Sequence, residues 1–305
     1  MKAKKLLALL LCLVMVLALA ACGQSAAPAA TEAPAAQETP AAAPEEPAEE
    51  APAEEPAAEE VNIIVFAAAS LTESLTAIQE TYEAEHPGVK LVFSFGSSGD
   101  LMKQIKQGAE CDLFISAGQK QMNQIDITAS ADVNTDGSDF VVDGTRINLL
   151  ENKVVLVVPD GNPKGIQSFD DLAELLKSKD VLMAMGGEGV PVGGYTQKIL
   201  AFYGLDEAEL ADSGCITYGA DVKEVTTAVK EGNVQCGVIY ASDAFSANLT
   251  VLEAATSEMT DGRIIYPAAL IKSGANAQAA AEFLAYLQTD EAMAAFEAVL
   301  FSPAP

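Results

Sequence analysis

Two serines stand where a hydroxyl could meet an anion. Val61 to Ser70 (VNIIVFAAAS) and Phe93 to Gly99 (FSFGSSG) are apolar runs that end in small residues and serine, each just ahead of a helical pattern. A strand, a serine and then a helix places a hydroxyl and unpaired backbone N–H groups at the positive end of the helix. Two further helix starts have the same small-residue character, Pro191-Val192-Gly193-Gly194 and Ala220-Asp221-Val222. Each turn taken alone reads as ordinary capping: Ser70-Leu71-Thr72-Glu73 spells a capping box, and Ser97 and Ser98 precede Gly99-Asp100-Leu101. Four such starts facing one cleft would form a converging nest of donors for an anion.

Other chemistry is hard to place. His86 is the single histidine, in Glu-His-Pro-Gly at a helix end, and its expected place is an exposed C-terminal position. The chain has no G-x-S-x-G elbow, H-E-x-x-H pair or Walker loop. Gly186-Gly187-Glu188-Gly189 lacks the spacing of a nucleotide loop and reads as a flexible connection. Asp100, close behind Ser98, reads as a first-turn acid that favours the helix dipole, with an acceptor role at the site as the alternative. A binding protein is favoured over an enzyme.

The elements that must hold these residues form two series. Asn62–Ala67, Val89–Phe95 and Asp112–Ser116 read as buried strands, with Leu71, Leu75, Ile78 and Tyr82 at helical spacing between the first two. Gln119–Ile125 reads as a helix and 127–147 as a polar surface excursion. A second series runs through strands at Val154–Val158, Val181–Met185, Ile216–Tyr218 and Gln235–Tyr240. Its helices fall at Ile166–Leu176, with Ser168 as N-cap, Gly193–Tyr203 and Val222–Glu231. Arg263–Ile271 returns as a strand before helices at Asn276–Leu287 and Glu291–Leu300. Strands alternating with helices predict βαβ units and mostly parallel sheets. The expected fold is α/β and two-lobed, with residues 61–152 and 266–305 in the first lobe, 153–265 in the second, and a ligand cleft between them.

The N-terminal part reads differently. Lys2, Lys4 and Lys5 precede the apolar run Leu6–Leu19, and Leu19-Ala20-Ala21-Cys22 closes it. Residues 1–22 are the layout of a secretory signal peptide, and the last four resemble the bacterial lipobox, which implies lipidation at Cys22. Residues 23–60 are nearly all Ala, Pro and Glu, expected to be a disordered tether stiffened by ten glutamates. The expected location is outside the cell membrane, held to its outer face by a lipid anchor.

Charge narrows the partners. The net charge of −27 leaves about −20 on residues 61–305 once the leader's three lysines and the tether's glutamates are set aside. So acidic a body argues against nucleic acid and anionic membrane surfaces and gives an anion no long-range attraction. Any anion site must therefore work by short-range donors. Cys111, Cys215 and Cys236 are odd in number and form no C-x-x-C pair. Buried free thiols are expected, with a Cys215–Cys236 bridge as the alternative.

The run FAAASLTESL, the run FGSSGDLMKQI-x-x-G-A-x-CDLFISAGQKQM and GVIYASDA resemble the periplasmic molybdate-binding proteins of ABC transporters, in order over about residues 61–300. The resemblance implies a periplasmic-binding fold in which neutral donors alone hold a tetrahedral oxyanion, molybdate or tungstate. It implies Ser70 and Ser98 as hydroxyl and amide donors, Val192 and Val222 as backbone N–H donors, and Tyr240 as a phenol donor. It further implies a monomer without a cofactor or a cation ligand, served by permease and ATPase subunits of an importer. Relatives often carry Pro-Ala-Gly where this chain has Pro191-Val192-Gly193, and 127–147 has no counterpart in their pattern. Three rival readings are a sulfate-binding protein of the same fold, a secreted serine hydrolase using Ser70 or Ser98, and an interaction protein that has lost its ligand.

Overall fold

The computed structural model describes residues 60–305; the expected leader, lipidated Cys22 and tether lie outside the described residues. The first segment alternates strand and helix. Strand β1 (Val61–Ala68) runs through a 3-10 turn (Ala69–Leu71) into α1 (Thr72–Glu85), then β2 (Val89–Gly96), α2 (Ser98–Lys106), β3 (Leu113–Ile115) and α3 (Gln119–Asn123). Helix α1 forms because Leu75, Ile78 and Tyr82 fall on one face and are buried there. It stops at Pro87-Gly88, where Gly88 takes φ +92°. Both β2 and β3 pair parallel to β1.

β4 (Ile147–Asn152) and β5 (Val154–Val158) are separated by Lys153 alone, and at that residue the chain passes from one sheet to the other. The second series continues with α4 (Phe169–Lys177), β6 (Met183–Gly186), α5 (Pro191–Phe202), α6 (Glu207–Asp212), β7 (Ile216–Gly219), α7 (Val222–Lys230), β8 (Cys236–Tyr240), α8 (Ala241–Ala247) and β9 (Thr250–Ala254). β10 (Ile264–Leu270) returns to the first sheet, followed by α9 (Ala277–Tyr286), α10 (Asp290–Glu297) and β11 (Ser302–Pro303). The six-stranded sheet has order β11-β4-β10-β3-β1-β2 and the five-stranded sheet order β7-β6-β8-β5-β9.

Both sheets are mixed, where mostly parallel sheets were expected. Pairing is parallel only where a helix crosses over, as in β6 with β7 and with β8. β10 is antiparallel to β3 and β4, and β5 is antiparallel to β8 and β9. The reason lies in the connections: a strand that changes sheets through one residue has no crossover to turn it around. All five residues of β5 are buried, and each such Val or Leu contributes about 1.5–3 kcal/mol of burial.

Two local expectations change, and the expectation of free thiols holds. The expected helix from Gly193 begins at Pro191, which sits in the first turn, where its missing N–H costs nothing. The 127–147 excursion is knitted down: Asn134, itself buried, donates to Asp126 O and Ser138 O at 2.9 and 2.7 Å. Arg146 clamps its base, donating to Asp126 Oδ2 at 2.7 Å and Asn123 Oδ1 at 2.6 Å and also to Gln119. Beneath it Phe66, Ile105, Phe114, Met122, Val141 and Ile271 share a small core of their own. Cys215 and Cys236 do not pair; all three cysteines after the leader are free and buried. Among the described residues no helix is long and apolar enough to cross a membrane.

Candidate functional site

The four helix starts meet. Ser70, Ser98, Val192, Val222 and Tyr240 all line one small cavity between the two sheets, together with Ala68, Ala69, Gly96, Ser97, Ala117, Val190, Pro191 and Asp221. Ser70 and Ser98 come from the β1 and β2 ends of the first sheet, Val192 from the start of α5, Val222 from the start of α7, and Tyr240 from the last position of β8. The lining is closed off from solvent: Ser98 is 1 % exposed, Val192 0 % and Tyr240 1 %. It contains no Lys, Arg or His.

The cavity is rich in donors with nothing to donate to. Among the described residues the backbone N–H groups of Ser70, Ser98, Val192 and Val222 reach no protein acceptor. Buried N–H groups are rarely left so, because an unmade bond costs about 1–3 kcal/mol. At α7 the pattern is explicit. Asp221 Oδ1 accepts from Lys223 N at 2.8 Å and Glu224 N at 3.0 Å, which satisfies the second and third amides and leaves Val222 N–H to point into the cavity. The Asp221 carboxylate thereby faces the helix, although it belongs to the lining.

The hydroxyls are oriented the same way. Ser98 Oγ accepts from Ala117 N at 3.0 Å, so its own proton is free for an acceptor in the cavity. Ser70 Oγ lies 3.0 Å from Tyr266 Oη, and Asn152 Nδ2 donates to Tyr266 Oη at 3.3 Å and to Ser242 Oγ at 2.9 Å. Asn152 and Ser70 therefore share Tyr266 Oη, and when the tyrosine donates to Ser70 the serine proton is left for the cavity. Tyr240 Oη donates to Ala117 O at 3.3 Å, a long bond that leaves it ready for a better acceptor. Burial, reinforced by Tyr266, holds the Tyr240 phenol well above its ordinary pKa, so it is a donor throughout the physiological range. Sequence reasoning missed Tyr266 and Asn152. Neither carries a local motif, and they reach Ser70 only through the return of β10 beside β4.

The capping box expected at Ser70-Leu71-Thr72-Glu73 does not form. The N-cap of α1 is Leu71 without a side-chain bond, because the 3-10 turn moves the helix start onward and gives the Ser70 hydroxyl to Tyr266. Ser97 is the backbone N-cap of α2, yet its Oγ donates to Gly189 O at 3.3 Å. Asp100 stays outside the cavity, paired with Lys103 at 3.0 Å.

The glycine loop after β6 is also corrected: it is a packing surface. Gly189 O also accepts from Gln121 Nε2 at 3.3 Å, so the loop grips the first sheet's side twice. A Cβ on Gly99 would stand 2.3 Å from Gly189 O, a distance no side chain tolerates. Glycine at 99 is what lets α2 and this loop close over the cavity.

His86 plays no part at the site. It caps the far end of α1, stacked on Tyr82 at 4.0 Å between ring centroids, with Nδ1 2.9 Å from Tyr82 O. The hydrogen-bond partners of Ser70 and Ser98 are a phenol and an amide, and neither serine has an imidazole beside it.

The profile of the bacterial extracellular solute-binding proteins matches residues 63–299. The Bacillus subtilis protein YvgL, which carries the name of an ABC transporter substrate-binding lipoprotein, is 37 % identical over 239 residues, 78 % of this chain and 85 % of its own. The molybdate-binding protein ModA of Escherichia coli is 32 % identical over 249 residues, 78 % of this chain and 88 % of its own. The solved periplasmic molybdate-binding protein of Azotobacter vinelandii superposes with a TM-score of 0.66 over 80 % of this chain and 100 % of its own; at 20 % identity that likeness speaks for the fold. The chain belongs to the bacterial extracellular solute-binding protein family, with the molybdate-binding proteins among its relatives, and its fold is the two-lobed α/β fold expected of them.

Proposed function

We propose that this solute-binding protein captures a tetrahedral oxyanion, molybdate or tungstate, in the cavity between its sheets and delivers it to the permease and ATPase of an ABC importer. The observation that carries the reading is the convergence of four partnerless N–H groups and three hydroxyls on one buried, cation-free cavity. A dianion withdrawn from water forfeits solvation on the order of tens of kcal/mol, so each oxygen must be met. Charge-assisted hydrogen bonds at about 1.5–3 kcal/mol each, with helix N-termini behind several of them, meet it without a counter-ion.

A donor-only lining also selects. Hydrogen phosphate carries a proton that needs an acceptor, whereas molybdate, tungstate and sulfate carry none at neutral pH. Ser70, Ser98, Val192, Val222 and Tyr240 are the proposed ligand set, and neither a cofactor nor a cation is required. The names borne by YvgL and the ModA relatives support the transporter role and an extracytoplasmic place; lipid attachment at Cys22 is the proposed means of holding the protein there. The hydrolase alternative lacks a base beside either serine.

Thermal unfolding of the purified protein against molybdate, tungstate, sulfate and phosphate tests the reading. A ligand at a hundred times its Kd adds about 2.7 kcal/mol. Stabilisation by molybdate and tungstate with none by phosphate is the expected result. Stabilisation by sulfate alone would move the assignment to sulfate, and no response to any of the four would overturn it.

A further inference from the structure

Behind the cavity wall lies a cluster of charges that the ligand set does not use. Lys223, the residue after Val222, extends its ammonium to two carboxylates. Its Nζ is 2.7 Å from both oxygens of Glu73 on α1, the third residue after Ser70. It is 3.0 Å from Asp243 Oδ1, the third residue after Tyr240. Glu73 belongs to the first sheet's half and Asp243 to the second, so one lysine ties both halves together, with each carboxylate one helical turn from a cavity residue.

Asp243 is the unusual member. Its side chain has no exposure, and the contact with Lys223 has ion-pair distance without hydrogen-bond geometry, so both carboxylate oxygens lack a hydrogen-bond partner. The groups facing it are Lys223 and Asp221 at the start of α7, Glu73 on α1, and the phenols of Tyr240 and Tyr266. One cation therefore stands among three carboxylates beside a cavity built to take an anion. A buried carboxylate that loses its only cation is strongly unfavourable, and more so with a second negative charge nearby.

We infer that Lys223 is a positioning residue for anion capture: it neutralises the buried Asp243 beneath the cavity and, through Glu73, latches the two halves shut over the ligand. The inference rests on the oxyanion reading. Burial holds the Asp243 carboxyl up at about 6, with Lys223 pulling it down and Glu73 and Asp221 pushing it up. Removing the lysine moves it higher still. A chain without the ammonium then carries more of the bare buried charge the higher the pH, so the defect grows as pH rises.

The experiment measures the molybdate Kd of the wild type, Lys223→Met, Lys223→Met with Asp243→Asn, and Glu73→Gln at about pH 6 and about pH 8. The expected result is that K223M binds at least about tenfold more weakly at pH 8 and markedly less so at pH 6. Adding D243N should flatten the pH profile and restore affinity to within about threefold, while E73Q, which loses only the latch, costs about two- to fivefold at both pH values. A K223M affinity within twofold of wild type at pH 8, or a loss equal at both pH values and unrelieved by D243N, overturns the inference. If the wild type itself binds no oxyanion, the functional reading fails instead. The buried pair is then still tested without ligand: the unfolding midpoint of K223M should fall between pH 6 and pH 8 and that of K223M/D243N should not.

Discussion

The Ser98 hydroxyl accepts from Ala117 N and keeps its proton for the cavity, as Ser70 does when Tyr266 donates to it, and that polarity can be broken one atom at a time. On the proposed ligand set Ser98→Ala removes a single charge-assisted bond, about 1.5–3 kcal/mol, so molybdate affinity should fall by about ten- to a hundredfold, and because Ala117 N loses its acceptor the ligand-free protein should lose about 1–3 kcal/mol of stability as well. Tyr266→Phe deletes a group that never faces the ligand. It frees the Ser70 hydroxyl to rotate and leaves Asn152 Nδ2 with Ser242 Oγ alone, for a cost of about 0.5–1.5 kcal/mol in binding. Titration calorimetry reads both. A Y266F protein that binds as tightly as wild type would show that Ser70 needs no orientation. Val192→Ala, by contrast, should change affinity little, since the residue donates through its backbone and the side chain shapes only the wall.

At the scale of elements the decisive contact is between two backbones. Helix α2 and the loop after β6 approach so closely that a methyl at position 99 would collide with Gly189 O. Gly99→Ala should therefore push α2 and this loop apart and lose at least about tenfold in molybdate affinity. Small-angle scattering would show no ligand-induced compaction in that variant; compaction equal to wild type would refute the closure role. This contact was not legible in the sequence, where Gly186–Gly189 had only the look of a flexible turn. What was legible was local: the serine turns, Asp221 ahead of Val222, and the helical spacing of Leu75, Ile78 and Tyr82. These signals are set by neighbours in the chain. Strands β4 and β9 were not anticipated, because their form depends on pairing with β10 and β5 across long separations. The same separation hid Tyr266, 196 residues from Ser70.

The molecule as a whole sets a field against its ligand. The folded part carries about −20 and the glutamate-rich segment before it another ten negative charges, so a dianion approaches uphill until the cavity's donors take hold. Electrostatically steered association slows as salt is added; here the sign reverses, because screening removes repulsion. Raising an inert salt from about 10 mM to about 300 mM shortens the Debye length from about 30 Å to well under 10 Å. The molybdate association rate should then rise several-fold while dissociation, governed by the buried bonds, changes little. The protein has no tryptophan, and Tyr240 and Tyr266 meet edge to face beside the cavity at 5.6 Å, so tyrosine fluorescence in a stopped-flow instrument follows binding directly. A rate that falls with salt would mean that the four helix starts, not the acidic surface, dominate the potential at the cavity mouth. A rate that rises would establish that capture depends wholly on contacts made after the ion has arrived.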